Sequence, residues 1–238
     1  MNSSRTFILL FVSVTLLEML GDTLAITWLH YACKPLIMGL LLVYVWQRAH
    51  AGNFTATLRW LTVGMAFALL GDVFLMIREV DLFALGLGSF LIMQLCYSRS
   101  FWLSMRERNA VIRPRTISLT AIPFVLYDGV FLFLLKRPFF RNSDLTPLWW
   151  PVVAYVFCLS LMGILAFLRS RSPRIDQVAI GAVLFILSDS AIAVDKFLQP
   201  VPAATWIIMT TYAAAQYLIV TGVVEQEQSV AHRVSIHP

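Results

Sequence analysis

The hydrophobic positions of this chain fall in long unbroken runs, unlike the alternating or one-faced patterns of soluble strands and helices. Eight runs stand out, over residues 7–28, 31–46, 57–77, 82–104, 116–135, 148–168, 177–197 and 203–224. A helix needs roughly 20 apolar residues to cross the hydrocarbon core of a bilayer, and most of the runs reach that length. The connections between them are short and carry turn or basic residues, and none is long or polar enough to form a separate soluble domain. The pattern predicts an all-α fold, a polytopic membrane helix bundle of about eight transmembrane helices. It is expected to form a single transmembrane domain over residues 1–238.

Composition supports this. Hydrophobic residues make up 59% of the chain and charged residues 13%, with a mean hydropathy of +0.79. A soluble domain of this length has too much wet surface to hide that fraction. Inside lipid every backbone amide needs an internal partner, which leaves helices or a closed barrel, and continuous runs favour helices. The opening, Arg5 followed by an apolar stretch, resembles a signal peptide. The stretch continues to Trp28 without an A-x-A site, so a retained first span is expected.

The net charge of +5 does not point to nucleic acid, because the basic residues lie between the apolar runs and form no patch. With the N-terminus in the cytoplasm, Arg5, Arg48, Arg59, Arg106, Arg108, Arg113, Arg115, Arg169, Arg171, Arg174 and Arg233 share one side. Lys34, Arg78, Lys136, Arg137, Arg141 and Lys196 fall on the other, and Arg99 lies within the fourth run. This bias predicts both termini in the cytoplasm. The short termini lead to the expectation of a bacterial inner membrane. Trp149 and Trp150 read as an interfacial belt. The cysteines Cys33, Cys96 and Cys158 are scattered, form no CxxC and read as packed thiols.

Ionisable side chains inside a span are costly, so they mark candidate sites. Asp72 and Asp189 are the foremost. Each follows a small residue, Gly71 or Ser188, that lets a neighbouring helix approach closely. Two carboxylates in one low-dielectric cleft do not both ionise easily. One can act as a general acid while the other stabilises a cation or orients water. A purely structural role, as helix–helix hydrogen bonds, is the alternative. Glu18, Asp22 and Asp128 are further acidic positions within runs, and Glu18 and Asp22 share a face that could extend a polar cavity.

Lys34 opens the second run, before Pro35, and Lys196 lies seven residues after Asp189 on the same helix face. Either could pair with an Asp or hold a phosphate, and either could instead snorkel to the interface. Tyr212 and Gln216 share a face of the last span. Gln94 and Tyr97 share one in the fourth, and Tyr155 lies in the sixth. They could line a polar cavity or simply hydrogen-bond between helices. A faint repeat, MLGDTLA (19–25), LLGDVFL (69–75) and ILSDSAI (186–192), reads as chance in a Leu-rich chain. The four histidines, His30, His50, His232 and His237, are not central in any run. No HExxH, GxSxG or Gly-rich phosphate loop occurs. A metal-free, cofactor-free carboxylate site is the economical enzyme reading.

Five stretches in order carry a resemblance: Lys34-Pro35-Leu36, ALLGDVFLM (68–76), GLGSFLIMQLCY (86–97), GAVLFILSDSAIA (181–193) and YAAAQYLIV (212–220). Together they resemble the YhhN-type lysoplasmalogenases, from the second span to the last. The resemblance implies an eight-span membrane enzyme that cleaves the vinyl ether bond of lysoplasmalogens. Its products are a fatty aldehyde and glycerophosphoethanolamine or glycerophosphocholine, and its partners are the lysophospholipid substrate and membrane lipids. It implies that Asp72 and Asp189 are the catalytic pair. Lys34, Tyr97, Tyr212 and Gln216 match other recurring polar positions. This chain has Gln94 where members commonly have His, and Gln does not shuttle a proton near neutral pH, so that position keeps only a hydrogen-bonding role. Vinyl ethers hydrolyse under acid through an oxocarbenium-like cation, which suits a two-carboxylate site by analogy with glycosidases. The expected substrate contacts are Lys34, Gln94, Tyr97, Tyr155, Lys196, Tyr212 and Gln216. The competing expectation is a proton-coupled transporter or lipid-binding membrane protein. Pro123, beside Tyr127 and Asp128, leaves room for the broken helix such a carrier uses.

Overall fold

The computed structural model describes residues 2–50, 54–77, 79–106, 113–169 and 176–236. Arg78, Arg108, Arg171, Arg174 and His237 lie outside them, as do the side chains of His50, His232 and Arg233. The described residues form eight α-helices and no strand: α1 (Asn2–Thr23), α2 (Thr27–His50), α3 (Ala56–Met76), α4 (Phe83–Arg106), α5 (Pro114–Arg141), α6 (Trp149–Leu168), α7 (Gln177–Phe197) and α8 (Ala204–Ile236). The chain is an integral, multi-pass membrane bundle. Seven helices are long and apolar enough to cross a bilayer, and α4 is the exception. At 24 residues α4 is long enough, rising about 1.5 Å per residue. Gln94, Ser98, Ser100 and Ser104 dilute it, and all four are buried against other helices.

The helices start where the sequence offers caps. The Thr55 hydroxyl accepts from the Leu58 N–H at 3.3 Å to open α3, and Asp176 accepts from the Ala179 N–H at 2.9 Å to open α7. The first boundary departs from expectation. The run over 7–28 is not one helix, because α1 stops at Thr23. There the Ile26 N–H returns to the Gly21 carbonyl at 2.8 Å and the Ala25 N–H to Asp22 at 3.2 Å, with Ala25 left-handed at φ 55°. This is a Schellman closure with alanine in the place glycine usually fills, so the sequence carries no visible stop. The second helix therefore begins at Thr27 rather than near 31. Lys34 does not open it but sits in its second turn, and Pro35 lies inside it.

Two other helices outrun their apolar stretches. α5 reaches Arg141 and passes unbroken through Pro123 and Pro138. α8 continues to Ile236, and its Glu227 carboxylate takes a 2.6 Å hydrogen bond from the hydroxyl of Thr55.

Lipid tails are as apolar as leucine, so helices in a bilayer associate through close packing and hydrogen bonds. The tightest pairs use small residues accordingly. A Cβ added at Gly64 of α3 would sit 2.6 Å from the Tyr97 ring of α4, and one at Gly181 of α7 would sit 2.9 Å from the Ala215 carbonyl of α8. α8 is the hub and packs on α1, α2, α3 and α7. α5 lies outermost, with Val125, Leu126, Val130 and Phe133 all exposed on its lipid face.

All seven tryptophans lie towards helix ends. Trp46, Trp60 and Trp102 mark one side of the bundle, and Trp28, Trp149, Trp150 and Trp206 mark the other. Two such belts are the expected anchors at the two membrane interfaces.

Candidate active site

The polar residues singled out in the sequence largely find one another. The Tyr212 hydroxyl of α8 donates to Asp72 of α3 at 2.6 Å, and the Tyr155 hydroxyl of α6 donates to Asp189 of α7 at 2.5 Å. Tyr97 of α4 donates to the Gln216 side-chain oxygen of α8 at 2.8 Å. Helical spacing explains the sharing: Tyr212 and Gln216 lie one turn apart and present neighbouring hydroxyl and amide groups to α3 and α4. The small residues preceding each Asp act as their positions suggested. Gly71 faces the Phe90 ring, which a Cβ there would meet at 2.7 Å, and Ser188 donates to the Ile208 carbonyl at 3.1 Å.

The two carboxylates occupy different surroundings. Asp189 opens onto a narrow apolar slot of about 50 Å³ walled by α3 to α7. Leu75, Phe90, Phe131, Val156 and Phe197 supply apolar wall, while Asp189, Tyr155 and Tyr127 supply its polar points. Tyr127 and Ser190 share a 2.8 Å hydrogen bond at its edge. Asp72 is 3% exposed and does not line this slot. Phe90 stands between them. It lines the slot, and its ring meets that of Tyr212 edge-on at 6.0 Å.

The slot adjoins a charged vestibule of about 490 Å³ at the end of the bundle holding the 24–26 turn. Leu75, Phe83 and Ile192 belong to the walls of both. Lys34 lines the vestibule, half-buried. Lys196 sits at its rim, 3.6 Å from Asp81 and 5.1 Å over the Phe83 ring. Asp195 accepts from the Val201 N–H at 2.8 Å and closes the loop into α8. Gln94 is fully buried near the Tyr155 hydroxyl, and neither of its amide atoms has a hydrogen-bond partner.

Some pairings were invisible in the sequence. Asp128 takes a short hydrogen bond from Ser160. His30 lies in the first turn of α2, buried, with Nδ1 3.1 Å from Glu18 and 3.5 Å from Asp22. It falls at the α1–α2 junction, so its burial depended on a turn that the apolar run concealed. The faint repeat has structural content. Asp22, Asp72 and Asp189 each accept a side-chain hydroxyl from another helix, the first from Thr205 at 2.5 Å. Thr205 and Tyr212 are seven apart and share a face of α8.

Fold and site together define a polytopic α-helical membrane protein with two Asp–Tyr pairs set beside an apolar slot and a charged vestibule. The chain belongs to the YhhN family, whose model matches residues 29–223. It is similar to the human lysoplasmalogenase TMEM86A, 29% identical over 178 residues that cover 71% of this chain and 67% of that protein. The rat lysoplasmalogenase TMEM86B is 31% identical over 79% of this chain and 69% of its own length. A lysoplasmalogenase of Mycobacterium tuberculosis is 31% identical over 81% of this chain and 71% of its own. The matched region thus spans about two thirds of the mammalian relatives. No solved structure matches the chain.

Proposed function

We propose that this chain is a membrane-embedded lysoplasmalogenase, hydrolysing the vinyl ether of a lysoplasmalogen to a fatty aldehyde and a glycerophospho-alcohol. The observation that carries the reading is that the slot holding Asp189 lies against the charged vestibule, the two sharing Leu75, Phe83 and Ile192 as wall. A single-chain amphiphile needs such a shape, with an apolar cavity for its chain and a polar mouth for its headgroup. The similarity to proteins named lysoplasmalogenase supports the same reading.

The chemistry follows from placement. Asp189, in its acid form, gives a proton to the alkenyl carbon beyond the oxygen-bearing one. The oxygen-bearing carbon becomes an oxocarbenium-like cation facing the carboxylate just formed. Water adds to that carbon and returns a proton to Asp189. The hemiacetal then breaks its bond to the glycerol oxygen, which takes up a proton, and the aldehyde leaves. Tyr155 fixes the carboxyl orientation through its 2.5 Å hydrogen bond. Asp72, sealed behind Phe90, is a positioning residue that holds Tyr212.

The bias of the basic residues supports a placement with both termini in the cytoplasm, so that the vestibule faces the opposite side. Purified protein is expected to release aldehyde from lysoplasmenylethanolamine, with most of that activity lost in Asp189→Asn and a clear loss in Asp72→Asn. Unchanged turnover in both variants would exclude this site, and a wild type that releases no aldehyde would exclude the activity.

A further inference from the structure

We propose that the vestibule is a headgroup subsite selective for a primary ammonium, in which Glu18 receives the ammonium and Lys34 the phosphate of a phosphoethanolamine headgroup. The inference rests on the lysoplasmalogenase reading and adds to it a headgroup and the residues that choose it.

Among the described residues six charged side chains line the vestibule: Glu18, Asp22, Lys34, Asp81, Asp195 and Lys196. Most already have partners. Lys196 pairs with Asp81, Asp195 holds the Val201 N–H, and Asp22 accepts from Thr205. Glu18 differs. It is fully buried in α1, and neither carboxylate oxygen receives a hydrogen bond from the described residues. His30 Nδ1 comes within 3.1 Å of one oxygen but is not aligned to donate to it. A buried carboxylate without donors is costly, and its two oxygens can together accept several hydrogen bonds. A primary ammonium brings three N–H donors and the opposite charge. Across the same space Lys34 offers a cation suited to a phosphate. One anion and one cation facing a common cavity complement a zwitterion.

The lining also separates ethanolamine from choline. A quaternary ammonium has no N–H to give and is held by several aromatic faces. Among the described residues the vestibule has only Phe74 and Phe83, and the Phe83 ring already carries Lys196. A phosphoglycerol headgroup has no cation and would leave Glu18 unmatched.

The test compares aldehyde release in detergent from three 1-alkenyl lysophospholipids, bearing ethanolamine, choline or glycerol. Wild type should favour ethanolamine by about tenfold in kcat/KM, and Glu18→Gln should reduce that preference to about one, mainly through KM. Gln keeps the size of the side chain and removes its charge. Damage to the fold would lower all three substrates alike and leave the preference intact. A preference unchanged in Glu18→Gln, or no preference in wild type, overturns the proposal while the hydrolase reading stands. If wild type releases no aldehyde, the hydrolase reading falls and binding decides the subsite. Saturated ether lysophospholipids with the same three headgroups are then titrated by calorimetry. The subsite stands if ethanolamine binds about tenfold tighter and Glu18→Gln abolishes the difference, and falls if the headgroups bind alike.

Discussion

Asp72 with Tyr212 and Asp189 with Tyr155 are the same chemical pair built twice, one sealed and one open. Each carboxylate accepts a phenolic hydroxyl from a different helix, at 2.6 and 2.5 Å. Yet Asp189 looks into a slot and Asp72 does not. The difference comes from neighbours rather than from the pair. Around Asp72, Gly71 draws Phe90 of α4 onto α3, and α8, the most enclosed of the apolar helices, supplies the tyrosine. Around Asp189 the tyrosine comes from α6, and the peripheral α5 covers the site only in part. The helices that cover a carboxylate in this bundle thus decide whether it opens onto a cavity.

The sharpest way to break this comparison is to remove each acid in turn. Asp189→Asn should lower kcat by about 1000-fold, as expected for a general acid, with melting temperature kept. Asp72→Asn should lower it by about tenfold to 100-fold through misplacement alone. Equal losses would show that both acids act on the substrate.

A second experiment removes the wall. Phe90→Ala should destabilise the protein by about 3 kcal/mol, as Phe truncations in packed cores do. It should also expose Asp72. A hydrophobic carbodiimide, read by mass spectrometry, should modify Asp189 in wild type and both carboxyls in Phe90→Ala. Modification of Asp72 in wild type would contradict the seal.

The smallest effect lies in the hydroxyls. Side-chain hydrogen bonds within membrane bundles are worth about 0.6 kcal/mol on average and up to about 1.7. Tyr212→Phe should fall at the upper end, because it strands a carboxylate with no cavity to admit water. Tyr155→Phe should fall near the average, because the slot can supply a replacement donor. Thermal unfolding in detergent compares the two, and a reversed order would invert the assignment of open and sealed.

Much of this was legible in the sequence because membrane burial makes ionisable groups conspicuous. Asp72, Asp189, Tyr155 and Tyr212 stand out as polar points in apolar runs, and the number of helices follows from those runs. The pairing was not legible. Which tyrosine meets which aspartate depends on α8 packing beside α3 and on α6 beside α7, and periodicity within one helix carries no such information. The α1–α2 break was hidden because Ala25 occupies the left-handed position, and with it went the burial of His30 against Glu18. Pro35 reads as a helix beginning and so predicts Lys34 at a start, whereas the helix runs through both. Gln94 and Tyr97 do share a face of α4, but only Tyr97 found a partner, since the amide of Gln94 depends on how α6 presents Tyr155.

The modest hydrophobicity of α4 has a consequence for biogenesis. Each polar residue lowers the free energy a segment gains on leaving the insertion machinery for lipid, and α4 carries Gln94, Arg99 and four serines. Its most extensive neighbour is α3, joined to it by the short link 77–82. The two therefore enter the bilayer best as a preformed hairpin, with the apolar helix carrying the weaker one, and shortening or stiffening that link would be felt first as failed membrane integration during synthesis.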